Sequence, residues 1–257
     1  MSWNPDQYDK FHRERTAPVL DLLSMLRIRP NLKVIDLGCG TGEHTRRLAD
    51  MLPESTVKGI DTSPEMLVKS KQYERPGLTF EQRSFEEIDG EYDVIFSNAA
   101  LQWSGNHEEL FPTIWRHLAP GGQLLVQMPN NQDHYSHKLA YRLATEDFAE
   151  YFPVREENPT NRLGWMLPVE RYAELFFELG GQEITAMMKV YPHILENSDA
   201  IVEWTKGTLL VPYMEQLSPE IGVEFMTRYK EALRVKFPHR PVFYGFKRIL
   251  LSVMKGY

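Results

Sequence analysis

The sequence is poor in cysteine: Cys39 is the single one among 257 residues. No intrachain disulfide framework can exist, and a catalytic thiol would need a histidine partner, so Cys39 reads as a small residue filling a tight turn. Apolar runs are short, none approaching the roughly 20 residues that cross a bilayer. The first residues carry Asp6, Asp9 and Glu14 and lack the apolar core of a signal peptide. A cytoplasmic protein without a membrane partner is expected. Basic residues are in deficit, 29 Lys and Arg against 36 Asp and Glu, for a formal net charge of −7. Such a chain is a poor general binder of nucleic acid, which requires a basic face. A local basic pocket stays open. Internal repeats and low-complexity segments are absent too. The length allows one large α/β domain, alone or with an inserted cap.

What is present is organised around Val34-Ile35-Asp36-Leu37-Gly38-Cys39-Gly40-Thr41-Gly42. The apolar run reads as a buried strand ending in an acid. A glycine-rich turn follows, and Glu43 to Leu52 has helical spacing through Leu48, Met51 and Leu52. Strand, turn and helix make the first unit of a nucleotide-binding α/β sheet. Glycine suits the turn because a Cβ would hold a ligand off the backbone amides, and because glycine tolerates positive φ. A dinucleotide fingerprint, G-x-G-x-x-G, sets a pyrophosphate on a helix N-terminus. Here the glycines are Gly38, Gly40 and Gly42, and Glu43 stands where the third dinucleotide glycine belongs. That carboxylate repels a pyrophosphate, and Asp36 favours a cation. The pattern fits a cofactor with an amino group and no phosphate, S-adenosylmethionine, over a nicotinamide dinucleotide.

The rest of the chain extends this reading in order. Trp3, Tyr8 and Phe11 either pack or fold over the cofactor, with Arg13 or Arg15 turned towards its carboxylate. A helix through Val19, Leu20, Leu22, Leu23, Met25 and Leu26 follows, with Pro18 near its start. Thr56 to Asp61 is a second strand, and Asp61 lies 19 positions beyond Gly42. An acid at that strand end reaches the two ribose hydroxyls, or else caps the helix from Glu65 to Lys71. Thr62 goes with it, and Met66 packs either on the adenine or in the core. After a third strand, Leu78 to Glu81, come Ser84, a hydrogen-bond partner for an adenine edge, and Phe85, a stacking surface. Tyr92 to Asn98 is a strand with polar residues past its carboxyl end, where ligands bind in an open parallel sheet. Asn98, Gln102 and Trp103 therefore line the expected reaction site as positioning residues. Helix Glu108 to Leu118 stops at Ala119-Pro120-Gly121-Gly122, before a fifth strand from Gln123 to Met128. Beyond it the βα rhythm loosens. Residues 132–180 and 197–238 read as helical cap inserts, plausible as a lid, within one domain spanning 1–257. Ile184 to Tyr191 and Pro241 to Met254 read as strands, the last antiparallel. His134 and His137 are three apart, but one pair without an adjacent thiol or carboxylate makes no metal site.

Four stretches carry a family likeness: V-I-D-L-G-C-G-T-G, G-I-D-T-S-P-E-M, Y-D-V-I-F-S-N-A-A-L-Q-W and L-A-P-G-G. They resemble the class I SAM-dependent methyltransferases. The chain is similar in particular to the trans-aconitate methyltransferases, through Ser2-Trp3-Asn4-Pro5 with Tyr8, Phe11, Glu14 and Arg15, then Asn98 to Trp103 and Gln127-Met128-Pro129. The likeness continues at Tyr191, His193, Ile201, Trp204 and Thr227-Arg228-Tyr229. It implies a Rossmann-like seven-stranded sheet in the order 3-2-1-4-5-7-6 with the last strand antiparallel. It also implies S-adenosylmethionine held by Asp36, Gly38, Asp61, Ser84 or Phe85, and Asn98, with Gly40 in the same turn. The family often has an acid near Ser84, absent here, and residues 132–167 match it poorly.

The implied reaction esterifies a carboxylate of a small polycarboxylic acid. A carboxylate is ionised at neutral pH and needs no general base, which agrees with the lack of a His-Asp or Lys-Tyr pair beside Asn98. Its other carboxylates call for cationic clamps, arginine above all for its bidentate fork. The candidates are Arg13 or Arg15, Arg162, Arg228 and Arg240, with His193 as a donor and Trp103 as an apolar wall. Two other readings stand beside this one: a methyltransferase for a hydroxyl or amine acceptor, which would need a base, and a SAM-binding protein without catalysis. The partner expected is a small anionic acid, with the protein a monomer or homodimer.

Overall fold

The computed structural model describes residues 12–152 and 166–257, with side chains described from Thr16 onward. The described chain divides into two compact units. One comprises Ala17–Pro129, Trp165–Lys189 and Arg248–Tyr257; the other comprises the described parts of 1–16, 130–164 and 190–247. The helices in chain order are α1 (His12–Ser24), α2 (Glu43–Met51), α3 (Pro64–Ser70), α4 (His107–Arg116), α5 (Tyr135–Arg142), α6 (Val169–Glu178), α7 (Ser198–Lys206), α8 (Val211–Met214) and α9 (Pro219–Lys236). The strands are β1 (Lys33–Leu37), β2 (Thr56–Asp61), β3 (Leu78–Gln82), β4 (Tyr92–Asn98), β5 (Leu118–Pro129), β6 (Gly181–Leu195) and β7 (Val242–Lys255). They form a seven-stranded sheet ordered β3-β2-β1-β4-β5-β7-β6. The first five strands pair in parallel and β7 runs antiparallel to β5. Order and final antiparallel strand are those the family likeness implies.

Strand alternation sorts the first unit's residues onto two faces. On one, Ile35, Ile95, Leu124 and Leu251 join Phe111 and Ile114 of α4 and Tyr172 and Phe176 of α6 in a single apolar core. The alternate residues of the same strands, among them Asp36, Asn98, Gln127 and Arg248, therefore fall on the opposite face. Polar side chains so placed at strand ends cannot be core filler; they are the fold's raw material for a site.

Four elements differ from the sequence expectation. Pro18 lies inside α1, not at its start; burial of Val19, Leu22 and Leu23 outweighs the hydrogen bond a proline forfeits. The helix before the glycine pair ends at Arg116, and Leu118 already pairs with Tyr92, so Ala119-Pro120-Gly121-Gly122 forms an irregular start to β5. Gly121 (φ 70°) sits at that irregularity. The strand expected over 184–191 runs from Gly181 to Leu195. Of the expected insert 132–180, the described part from Met166 belongs to the sheet unit, because Tyr172, Leu175 and Phe176 of α6 are buried in its core.

In the second unit, α9 starts on Ser218, whose hydroxyl accepts from the Ile221 amide at 3.4 Å, with Pro219 in its first turn. It buries Phe225, Tyr229 and Leu233 along one stripe, against Phe148, Trp204, Tyr213 and Tyr244 of the same unit.

Candidate active site

The turn after β1 is built from three left-handed glycines, Gly38 (φ 75°), Gly40 (φ 54°) and Gly42 (φ 77°). Two are closed in by protein: a Cβ on Gly38 would lie 2.2 Å from Cβ of Ala100, and one on Gly42 would lie 2.7 Å from the Phe80 ring. Gly40 differs. No atom of the described residues lies within 4 Å of its would-be Cβ, so among them this glycine leaves open space beside bare backbone. The amides of Gly38 and Cys39 both donate to the Ile60 carbonyl at 2.9 Å, which ties the turn to the end of β2.

Two carboxylates flank this turn. The Gly40 amide donates to Asp61 Oδ2 and the Ser63 amide to Asp61 Oδ1, each at 2.8 Å. Both oxygens are thereby fixed, and each keeps a lone pair for a further donor. The capping alternative for Asp61 falls: Ser63 is the N-cap of α3, accepting from the Met66 amide at 3.3 Å. Asp36 is 2 % exposed and accepts from the Thr45 hydroxyl at 2.7 Å. Burial pushes its carboxyl up to about 7, the Thr45 hydrogen bond restrains the rise, and the charge of Asp61 adds to it. Among the described residues neither acid is ion-paired. Buried anions call for a cation, and none of the described residues supplies one. The arrangement therefore fits a cationic, hydroxyl-bearing group such as S-adenosylmethionine.

The neighbouring residues are placed as follows. Thr62 is exposed and Met66 half-buried. The Ser84 hydroxyl caps the short turn Phe85–Glu87 by accepting from the Glu86 amide at 3.2 Å. Phe85 packs against the apolar core; both are partly taken up by local structure. At the carboxyl end of β4, Asn98 Oδ1 is buried without a hydrogen-bond donor. Ala99 beyond it is left-handed (φ 56°). Its amide donates to the Gln127 carbonyl at 2.8 Å and its carbonyl accepts from Gln102 Nε2 at 2.7 Å. Gln102 Oε1 is buried too, and neither it nor Asn98 Oδ1 finds a partner among the described residues. Two such acceptors at a strand end are costly unless a ligand supplies donors. Trp103 is 51 % exposed, so it is a wall or lining residue and not core. His107, the nearest histidine in sequence, is buried and holds Tyr172 Oη at 2.6 Å and the Leu101 carbonyl at 3.0 Å. Burial keeps it below the ordinary imidazole range, and both nitrogens are committed to structure.

Three of the substrate candidates belong to the second unit. His193 is 4 % exposed, with the Trp204 ring centroid at 4.7 Å and the Phe246 ring stacked at 5.6 Å. Arg228 pairs with Glu224 at 2.6 Å, one helical turn earlier, and lies over the Phe148 ring at 5.2 Å; this explains its place in the sequence without a substrate. Arg240 is exposed in the turn before β7. His134 uses Nδ1 to accept the Ser136 amide at the start of α5, and among the described residues no cluster of metal-ligating side chains exists. Trp3, Tyr8, Phe11 and Arg162, and the side chains of Arg13 and Arg15, lie outside the described residues.

Two further polar residues are buried on the face that carries Asp36 and Asn98: Gln127, 1 % exposed, and Arg248, 7 % exposed. The available signal was a polar residue at an alternate position of an apolar strand, as in Leu125-Val126-Gln127-Met128 and Arg248-Ile249-Leu250-Leu251.

Among the described residues no helix is long and apolar enough to cross a membrane. A family model described as a methyltransferase domain matches residues 28–165. The trans-aconitate 2-methyltransferase of Deinococcus radiodurans is 43% identical over 250 residues, covering 97% of each chain. That of Methylobacterium nodulans is 37% identical, covering 92% of this chain and 90% of its own. Among solved structures, phosphoethanolamine N-methyltransferase 2 of Haemonchus contortus, held with S-adenosylhomocysteine, shares the fold at TM-score 0.55 and 17% identity, over 93% of this chain and 52% of that one. An acid-flanked glycine turn, the strand order and these full-length likenesses converge: the chain belongs to the trans-aconitate 2-methyltransferase family of SAM-dependent methyltransferases.

Proposed function

We propose that this enzyme esterifies one carboxylate of trans-aconitate or a closely similar small polycarboxylic acid. The observation that carries the reading is the full-length likeness to relatives of that name, joined to a strand-end site that offers polar contacts and, among the described residues, no general base. When bound, S-adenosylmethionine would supply an electrophilic methyl group on a sulfonium, to be taken in line by a carboxylate oxygen as the neutral thioether leaves. Asp61 is suited to accept the ribose hydroxyls through its remaining lone pairs, and Asp36 to balance the ligand's positive charge. Gly40 lets the ligand lie against the backbone. Asn98 and Gln102 offer acceptors to the ligand's donors at the carboxyl end of β4, and Trp103 offers an apolar wall.

The chain's own task in such a reaction is alignment and exclusion of water. A carboxylate acceptor arrives ionised, and His107, neutral and bonded on both nitrogens, is not placed to serve as a base. A hydroxyl or amine acceptor would need one. The test is mass spectrometry of products from the purified enzyme, S-adenosylmethionine and a panel of mono-, di- and tricarboxylic acids, alcohols and amines. A base-labile methyl ester of a polycarboxylic acid is expected, formed at a rate level across neutral pH once donor is saturating. Methylation confined to hydroxyls or amines would sink the reading.

A further inference from the structure

We infer that Arg248 and Gln127 form the acceptor's carboxylate-recognition site; the inference rests on the polycarboxylate reading above and names the residues of the known reaction that hold its substrate. The geometry follows from register. In β5 and β7, Pro129 lies opposite Arg248, Gln127 opposite Leu250 and Leu125 opposite Ser252, so these side chains share one face. Their alternates Leu124, Val126, Met128, Ile249, Leu251 and Val253 all belong to the apolar core of the other face, which fixes the assignment. A direct contact agrees with it: Gln123 Nε2 donates to Ser252 Oγ at 3.0 Å on the first face. Across the sheet, Asn98 lies opposite Gln127 and Asp36 opposite Phe96 in parallel register.

The strand ends thus carry a polar row on one face, Asp36 on β1, Asn98 on β4, Gln127 on β5 and Arg248 on β7. Three strand spacings of about 4.8 Å and a stagger of four residues along the strands set the acid and the arginine roughly 19 Å apart, Cα to Cα. The row is polarised. Its acidic end lies at the glycine turn, suited to a cation, and its other end offers a guanidinium. Between them Gln127 Nε2 is buried and finds no acceptor among the described residues. A buried amide donor left in that state is a cost the fold carries, and a carboxylate oxygen would relieve it. Arg248 is 7 % exposed, unlike Arg240, which is exposed. A desolvated guanidinium binds a carboxylate far more strongly than a surface one, and in a fork that fixes orientation. An ionic acceptor bound at the arginine end leaves its reacting carboxylate nearer the middle of the row, towards the donor's methyl.

The test compares wild type with Arg248→Lys, Arg248→Gln and Gln127→Leu, using trans-aconitate and mono- and dicarboxylate analogues, with S-adenosylmethionine affinity measured by calorimetry. For active wild type, Arg248→Lys is expected to raise KM for the tricarboxylate on the order of 10- to 100-fold. Gln127→Leu is expected to raise it about 5-fold. Donor affinity stays within about 3-fold, and discrimination between tri- and monocarboxylates shrinks. A purely structural arginine would move donor affinity and every acceptor's KM together. That outcome, or an unchanged KM, overturns the assignment and leaves the methyltransferase reading intact. If wild type methylates no carboxylic acid, the reading falls and the assignment with it. Should both Arg248 variants fail to fold, Gln127→Leu decides: a selective KM rise supports the site, and an unchanged KM overturns it.

Discussion

Gly38→Ala is expected to cost about 3 kcal/mol or more of folding stability, whereas Gly40→Ala is expected to cost about 1 kcal/mol and to damage ligand binding instead. The two glycines have the same backbone sign, φ 75° and 54°, so the conformational penalty for a side chain is shared. They differ in what a methyl group meets. At Gly38 it lands on Cβ of Ala100 at 2.2 Å; at Gly40 it meets no atom of the described residues within 4 Å. Ala100 follows the left-handed Ala99, whose amide and carbonyl are both engaged, so that segment has little freedom to withdraw. In a domain of this size the difference corresponds to a melting point lowered by about 6–12 °C for Gly38→Ala and about 2–4 °C for Gly40→Ala. If the open space at Gly40 is where the cofactor lies, Gly40→Ala should also weaken S-adenosylmethionine binding by at least about tenfold. Thermal melting and calorimetry on both variants check this. Equal melting points, or full donor affinity in Gly40→Ala, would contradict the assigned turn.

The second large effect is at Asp61. Its carboxylate holds the Gly40 and Ser63 amides at 2.8 Å, so it shapes the turn, and we propose above that it also takes the ribose hydroxyls. Asp61→Ala is expected to raise the dissociation constant for S-adenosylmethionine about 100-fold, from the loss of charge-assisted hydrogen bonds. Helix α3 should persist, because its cap is Ser63. Circular dichroism in parallel with calorimetry separates the two. A variant that keeps donor affinity and loses helix would return Asp61 to a capping role.

The parts of this site that were legible in the sequence are those in which neighbours along the chain are neighbours in space. Asp36, the three glycines and Asp61 sit at the ends of adjacent strands, and each end is announced by its own apolar run. Asn98 closes β4, and Gln102 and Trp103 follow it, for the same reason. Gln127 and Arg248 were not legible as a pair, because only the register of β5 with β7 sets them on one face, more than a hundred residues apart. A shift of one residue would have turned both into the apolar core. Arg228 shows the converse. Its partner Glu224 stands four residues earlier on the same helix, a spacing visible in the chain that favours an ordinary helical ion pair. His193 looked like a donor by residue type alone, and its burial between Trp204 and Phe246 depends on packing no local pattern reveals. Pro18 and the Ala119-Pro120-Gly121-Gly122 stretch misled because tertiary burial and strand pairing overrode local helix signals.

The central claim is that an acid-flanked glycine turn receives a cationic donor. The measurement closest to it is calorimetric titration of the wild-type protein with S-adenosylmethionine between pH 6 and 8. Burial raises the Asp36 carboxyl to about 7 in the ligand-free protein, so below that pH it is largely protonated and above it ionised. A bound cation favours the ionised form. Binding should therefore release protons below about pH 7, and affinity should rise with pH, by at most about tenfold per unit, and level off near pH 8. Failure to bind S-adenosylmethionine, or an affinity that is flat or climbs as pH falls through this range, would contradict the account.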